Sequence, residues 1–260
     1  MIGRLPIGVR LLALVAFGFV SAPLISLLFR VPWTRLVTLL TRDTVTDALL
    51  ISLTSSLVAA VLALALGIPL ALHLSRMSGV ASSITRAVIV LPMILPPVVG
   101  GAALLFAFGR NGLVGSVVFD ATGLLFPYSI SGVVLANTFV ALPFVVITVE
   151  GALRAIDPRY GLAATTLGAK PSRLTFRVLL PMVRPALMAG GFIAWARALG
   201  EFGATITFAG NIQGRTQTLP LAVFVALETD REAALAISVL LISISLIVLV
   251  SLRDRWWPVR

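Results

Sequence analysis

Six stretches of the chain stay apolar for about twenty residues: 11–29, 48–72, 87–108, 128–149, 185–208 and 233–252. A helix of about 20 apolar residues crosses the hydrocarbon core of a bilayer. Lipid offers nothing to a free backbone N–H or C=O, so each stretch predicts a transmembrane helix. Pro69, Pro92, Pro96, Pro97 and Pro143 fall inside these stretches and predict kinks. Two more apolar segments, 112–119 and 218–227, are too short to cross and read as interfacial or re-entrant pieces. A polar, glycine-containing turn over 210–218 leads into the second. Arg4 and Arg10 precede the first stretch, and Val20-Ser21-Ala22 within it has the outline of a signal-peptide cleavage site. The apolar run continues to Phe29, long for a signal, so it reads as a retained first helix. Without heptads, low-complexity tracts or evident repeats, the 260 residues read as one all-α membrane domain of six helices.

Composition agrees with the pattern. Hydrophobic residues make up 59% of the chain and charged residues 12%, against about 25% charged in soluble domains. The mean hydropathy is +1.08. With no cysteine, disulfides and thiol chemistry are excluded. The one histidine, His73, ends an apolar run beside Arg76 and reads as interfacial, so no metal site is expected.

The net charge of +10 could suggest nucleic acid, but the loops account for most of it. One set of loops holds Arg4, Arg10, Arg76, Arg86, Arg154, Arg159, Lys170, Arg173, Arg177, Arg184, Arg253, Arg255 and Arg260. The other holds Arg30, Arg35, Arg42, Arg110, Arg215 and Arg231. Basic loops stay cytoplasmic, so both termini are expected inside, in a plasma membrane, with no nucleic-acid partner.

The cytoplasmic stretch 154–184 is much longer than a turn requires. Asp157-Pro158 is a helix start, with Asp as N-cap and Pro at the first helical position. Gly168 is a fitting stop, because glycine accepts the left-handed cap conformation. Lys170-Pro171-Ser172 starts a second short helix that runs toward Pro181. The outward face mixes Leu162, Ala163, Ala164 and Leu167 with Arg159 and Arg173, which suits a groove on another protein. A loop lying on anionic lipid is the plainer reading. Lipid attraction, however, requires neither an alanine pair nor a glycine stop at fixed spacing.

Leu162-Ala163-Ala164, then Gly168, then Leu180-Pro181 resembles the EAA loop of permease subunits of ABC importers. The resemblance implies a type I importer permease fold. It also implies that the loop forms a coupling helix seated in a cleft of a separate ATPase subunit, which would hold ATP and Mg. The family's usual glutamate falls on Leu162, so apolar packing and the arginines would have to make that contact. The chain itself has no G-x-x-x-x-G-K-[ST] phosphate loop. It is therefore read as a non-enzyme with no cofactor of its own and no catalytic residue.

The fifth stretch carries the other unusual residues. Arg197 and Glu201 lie one helical turn apart and can face each other. Charges inside a span are costly and point to function. Here a structural ion pair is favoured, because a bare glutamate would repel an anion. Gly203, Ala204, Thr205, Thr207, Gly210 and Asn211 follow. Such small and hydroxylated residues suit close helix packing or the lining of a polar path, and their chemistry fits either.

"GEFGATITFAGN" followed by "GRTQTLPL", with "LPPVVGGAALLFAFGRNGLVG", resembles molybdate ABC permeases, and sulfate permeases share much of the first pattern. The resemblance implies molybdate as the transported ligand, with sulfate, thiosulfate or tungstate as alternatives. It also implies two copies of this chain around a central path, two ATPase subunits, and a periplasmic or lipid-anchored molybdate-binding protein. By analogy Arg197, Glu201, Phe202, Thr205 and Asn211 are candidates for the path or its gate. A secondary transporter would need intramembrane carboxylates at broken helices. Only Glu201 lies well within a span, with Glu150 at an inner edge.

Overall fold

The computed structural model describes residues 6–256; Arg4 and Arg260, both counted in the charge bias, lie outside them. Among the described residues the secondary structure is helical throughout. The elements are α1 (Ile7–Phe29), α2 (Leu36–Leu40), α3 (Asp43–Arg76), α4 (Gly79–Ile94), α5 (Pro97–Phe108), α6 (Gly115–Thr122) and α7 (Ile130–Arg154). They continue with α8 (Pro158–Thr166), α9 (Pro171–Met182), α10 (Arg184–Leu199), α11 (Gly203–Phe208), α12 (Leu219–Thr229) and α13 (Arg231–Trp256). Helices α1, α3, α7 and α13 are each long and apolar enough to cross a bilayer. Two bent pairs, α4 with α5 and α9 with α10, bring the spans to six if each pair counts as one.

Two of the expected spans are not single helices. The stretch 87–108 breaks at Leu95-Pro96, where α5 turns 116° from α4. Pro96 cannot donate to the α4 ladder and biases Leu95 away from helical angles, so Leu95 and Pro96 are both extended. Pro97 then opens α5 at its first position. Pro69, Pro92 and Pro143, each alone, remain inside unbroken helices. The stretch 185–208 stops at Leu199, and Gly200-Glu201-Phe202 separates it from the short α11.

The centre of the bundle is a crossing of α3, α7 and α10. Ala59, Ala63 and Ala71 meet Val145, Val146, Val149, Ala194 and Ala198 there, all nearly inaccessible. Small side chains let the backbones approach, which is how apolar helices gain contact where lipid is as greasy as leucine. Gly67 shows how close they come, since a Cβ there would lie 2.9 Å from Val145 Cγ1. A second cluster joins α2, α3, α12 and α13, and a third joins α5, α7 and α11. Of the two short apolar segments, the second becomes α12, and it packs into the bundle. Its Leu219, Leu221, Ala222 and Ala226 are buried, and the Leu219 N–H donates to Ser52 Oγ of α3 at 2.7 Å.

Ion pairs mark the two ends. Arg35–Glu232 (2.5 Å) and Arg42–Asp230 (2.8 Å) place the starts of α2 and α3 beside the start of α13. At the other end Arg86, Glu150 and Arg154 join α4 to the end of α7.

Candidate functional site

Two regions carry unusual chemistry: the exposed α8–α9 hairpin and the polar break between α10 and α11.

At the start of α8 the Asp157 carboxylate accepts the Arg159 N–H at 2.9 Å. It also binds the Arg159 guanidinium at 2.6 and 2.8 Å. The guanidinium contact first, and the backbone N–H second, hold the Asp157 carboxyl below the usual aspartate range. The Thr165 and Thr166 hydroxyls turn back to Leu162 O. Gly168 then takes φ +75°, its N–H bonds Thr165 O, and the Ala169 N–H bonds Ala164 O at 2.9 Å. Those two bonds make a Schellman ending, which satisfies the last carbonyls of the helix.

The chain returns through α9, whose middle, Thr175–Leu179, is wound as a π-helix. Tyr160, Leu162, Leu167 and Phe176 project outward, with Leu167 87% exposed. Ala163, Arg159 and Arg173 are exposed beside them, and Ala164 is half-buried. The hairpin therefore carries an exposed apolar patch rimmed by cations, and exposed patches of this kind are commonly interaction sites. Beneath α8 lies a cavity of about 580 Å³ lined by Arg76, Asp157, Gly161, Thr165 and Leu179, among others.

At the other region Arg197 Nη1 meets Glu201 Oε2 at 2.5 Å, and the Glu201 side chain is 1% exposed. The other oxygen, Oε1, accepts the Ala204 N–H at 2.8 Å and so caps α11. One carboxylate therefore neutralises a span charge and closes a helix break. Phe202 is half-buried against Phe224, with ring centroids 5.3 Å apart. Thr205 is fully buried. Among the described residues, Thr205 Oγ1, Asn211 Oδ1, Asn137 Oδ1 and Thr218 Oγ1 are buried oxygens without a hydrogen-bond partner. Thr207, by contrast, returns its hydroxyl to Gly203 O at 2.8 Å. The structure thus buries Glu201 and Thr205, while Arg197, Phe202 and Asn211 are partly exposed.

Sequence reasoning missed two polar features. One is a seam beside the central crossing. Ser52, Ser55 and Ser56 line α3, Asn137 Nδ2 donates to Ser55 Oγ at 3.3 Å, and Trp195 Nε1 donates to Ser56 Oγ at 3.0 Å. The spacing of these serines, three and four apart in an apolar helix, was the available signal. The other is the Glu150 cluster, signalled by Arg154 four residues after a carboxylate at the end of an apolar run.

Comparison with known proteins gives a consistent family. Residues 63–256 match the family described as binding-protein-dependent transport system inner membrane component. The chain is 45% identical over 251 residues to the molybdenum transport system permease protein ModB of Mycobacterium tuberculosis, covering 96% of this chain and 95% of that one. It is 40% identical over 170 residues to the Escherichia coli K12 protein of the same name, covering 65% and 74%. The sulfate transport system permease protein CysT of Escherichia coli K12 is 35% identical over 233 residues, covering 88% and 83%. Among solved structures, a bacterial ABC transporter that imports alginate superposes with a TM-score of 0.76 at 18% identity, over 95% of this chain and 93% of that one.

Proposed function

The chain belongs to the binding-protein-dependent transport system inner membrane component family, and from that premise we propose that it is the transmembrane permease subunit of an ATP-driven molybdate importer. The observation that carries this reading is the α8–α9 hairpin. Its helix α8 is capped at both ends, and the hairpin projects exposed apolar side chains, with the Asp157-paired Arg159 and Arg173 exposed beside them. A family member that lacks a phosphate loop must receive its energy from another subunit, and this hairpin is the surface shaped to receive it. Arg159, Leu162, Ala163, Ala164, Leu167, Gly168 and Arg173 are assigned to that contact, with ATP and Mg held by the ATPase. Leu162, 65% exposed, makes it through apolar packing where relatives of the loop type carry an acid.

The cargo follows the relatives that match the chain nearly end to end and are named for molybdenum. Two copies of this single-domain chain flank the path, and an external binding protein delivers the anion. The membrane is the plasma membrane, with both termini inside. ATP and delivered cargo bias the same equilibrium between inward-open and outward-open states. The unpartnered buried oxygens of Thr205 and Asn211 support placing them near the path, because buried polar groups are normally satisfied. The double engagement of Glu201 supports a framework role for it and for Arg197, with Phe202 at the rim.

The test is uptake into vesicles holding the permease and its ATPase, with the binding protein outside. ATP-dependent molybdate uptake that excess sulfate fails to suppress is expected. Uptake driven by an ion gradient without the ATPase would defeat the class, and preference for sulfate would reassign the cargo.

A further inference from the structure

Glu150 sits near the end of α7, and its carboxylate joins α7 to α4 directly and to α3 through Arg154. Arg86 Nη2 of α4 lies 2.6 Å from Oε1, and Arg86 Nε lies 3.4 Å from Oε2. Arg154 Nε lies 2.7 Å from the same Oε1. Arg154 then reaches across with Nη2 to Leu74 O at 2.9 Å and Met77 O at 3.4 Å, at the end of α3. Glu150 is only 4% exposed. One carboxylate facing two guanidinium groups leaves a surplus positive charge. The carbonyls at the C-terminus of α3 carry the partial negative charge that accepts it, Leu74 O receiving Arg154 in addition to the Met77 N–H.

This cluster stands eight residues before α8, and Arg154 is separated from the Asp157 cap by only Ala155 and Ile156. Two residues allow little slack, at most about 3.6 Å each. The 580 Å³ cavity lies between α8 and the ends of α3 and α7, lined by Arg76, Leu153 and Ile156 as well as Gly161 and Thr165. The return strand of the hairpin is tied to the end of α3 by a longer bond, Arg76 Nη2 to Thr175 Oγ1 at 3.4 Å. Helix α8 therefore has room to move against the bundle, while its start follows closely on the end of α7, which charge-assisted bonds fasten to α3 and α4. Multiply bonded ionic clusters resist gradual stretching and transmit displacement to whatever they hold.

We propose that Glu150, with Arg86 and Arg154, is the link that carries displacement of α8 into α3 and α4, and that Glu150 is a positioning residue for coupled transport. The inference rests on the reading of α8 as the ATPase-docking helix.

The experiment uses the whole transporter, reconstituted with its ATPase and supplied with binding protein, and reads molybdate imported per ATP hydrolysed. Glu150→Gln and Arg86→Met lower that ratio by roughly fivefold or more, the scale of a typical coupling free energy. ATP hydrolysis and the yield of assembled complex persist in both. Arg86→Lys, which keeps a cation facing the Glu150 carboxylate, holds the ratio near that of the unaltered complex. A brace that merely holds the fold would instead lower yield and both activities together with the ratio unchanged. That result, or an unchanged ratio in every variant, overturns the proposal. If the unaltered complex imports no anion with ATP, the reading of α8 fails first and the proposal falls with it.

Discussion

Glu201 illustrates how a single residue resolves two problems at once. Its partner Arg197 was legible from the four-residue spacing. The bond from the Ala204 N–H was not, because it depends on a helix break that no apolar pattern reveals. The two roles predict different variants. Glu201→Gln keeps an acceptor for Ala204 but strands Arg197, whereas Glu201→Ala loses both. Removing one partner of a buried pair costs about 3 kcal/mol, toward the low end because Arg197 keeps 31% of its side chain exposed. Thermal unfolding of the purified permease should rank wild type above Glu201→Gln above Glu201→Ala; equal melting of the two variants would remove the capping role.

Asp157 is the second case. Its folded carboxyl is held below the ordinary aspartate range, so its contribution is complete above that range and is lost as pH falls through the lowered value. A spin label on Thr166→Cys, in a chain without native cysteine, should report an ordered α8 from about pH 8 to about pH 5. Loosening should appear only in stronger acid. With Asp157→Ala the label should be mobile across the whole range.

At the scale of elements, the sequence showed where helices start and stop outside the membrane better than where they break inside it. Asp157-Pro158 and Gly168 bound α8 as their cap chemistry requires, since a cap acts on neighbours a few residues away. The break at Pro96 falls where the Pro96-Pro97 pair predicts a kink, but the break at Gly200 falls inside a run that hydropathy treats as uniform, and the two bring α5 and α11 to a crossing at a distance only glycine allows. A Cβ on Gly101 would sit 2.6 Å from Thr207 Cβ, and one on Gly203 would sit 2.5 Å from Pro97 Cβ. Contacts so distant in sequence leave no periodic trace. Gly203→Ala should therefore push α11 off α5 and cost about 1–3 kcal/mol by overpacking. Gly151→Ala, where the new methyl meets nothing within 4 Å, should be neutral or stabilising by up to about 1 kcal/mol. Denaturation of both variants checks the contrast; comparable losses would mean that general helix effects, not the crossing, set the cost.

The whole molecule has a sidedness that the arginine bias and the ion pairs approach independently. Basic residues crowd the loops that end α3 and α7 and form the α8–α9 hairpin, and positive loops stay in the cytoplasm. The pairs Arg35–Glu232 and Arg42–Asp230 gather the starts of α2, α3 and α13 at the opposite end. The Arg86–Glu150–Arg154 cluster gathers the ends of α3 and α7 at the basic one. Topogenic charge acts during insertion and side-chain pairing acts in the folded state, so their agreement on which loops share a side is not built in. The charge rule alone bears on which side faces out, and that side is directly measurable. Because the chain lacks cysteine, a single introduced thiol can be read without background. Gln213→Cys, in the exposed turn before α12, should react with a membrane-impermeant maleimide in intact cells. Tyr160→Cys, on the exposed face of α8, should react only after the membrane is opened. The reverse labelling would put the hairpin on the wrong side to meet an ATPase, and the proposed energy supply would fail with it.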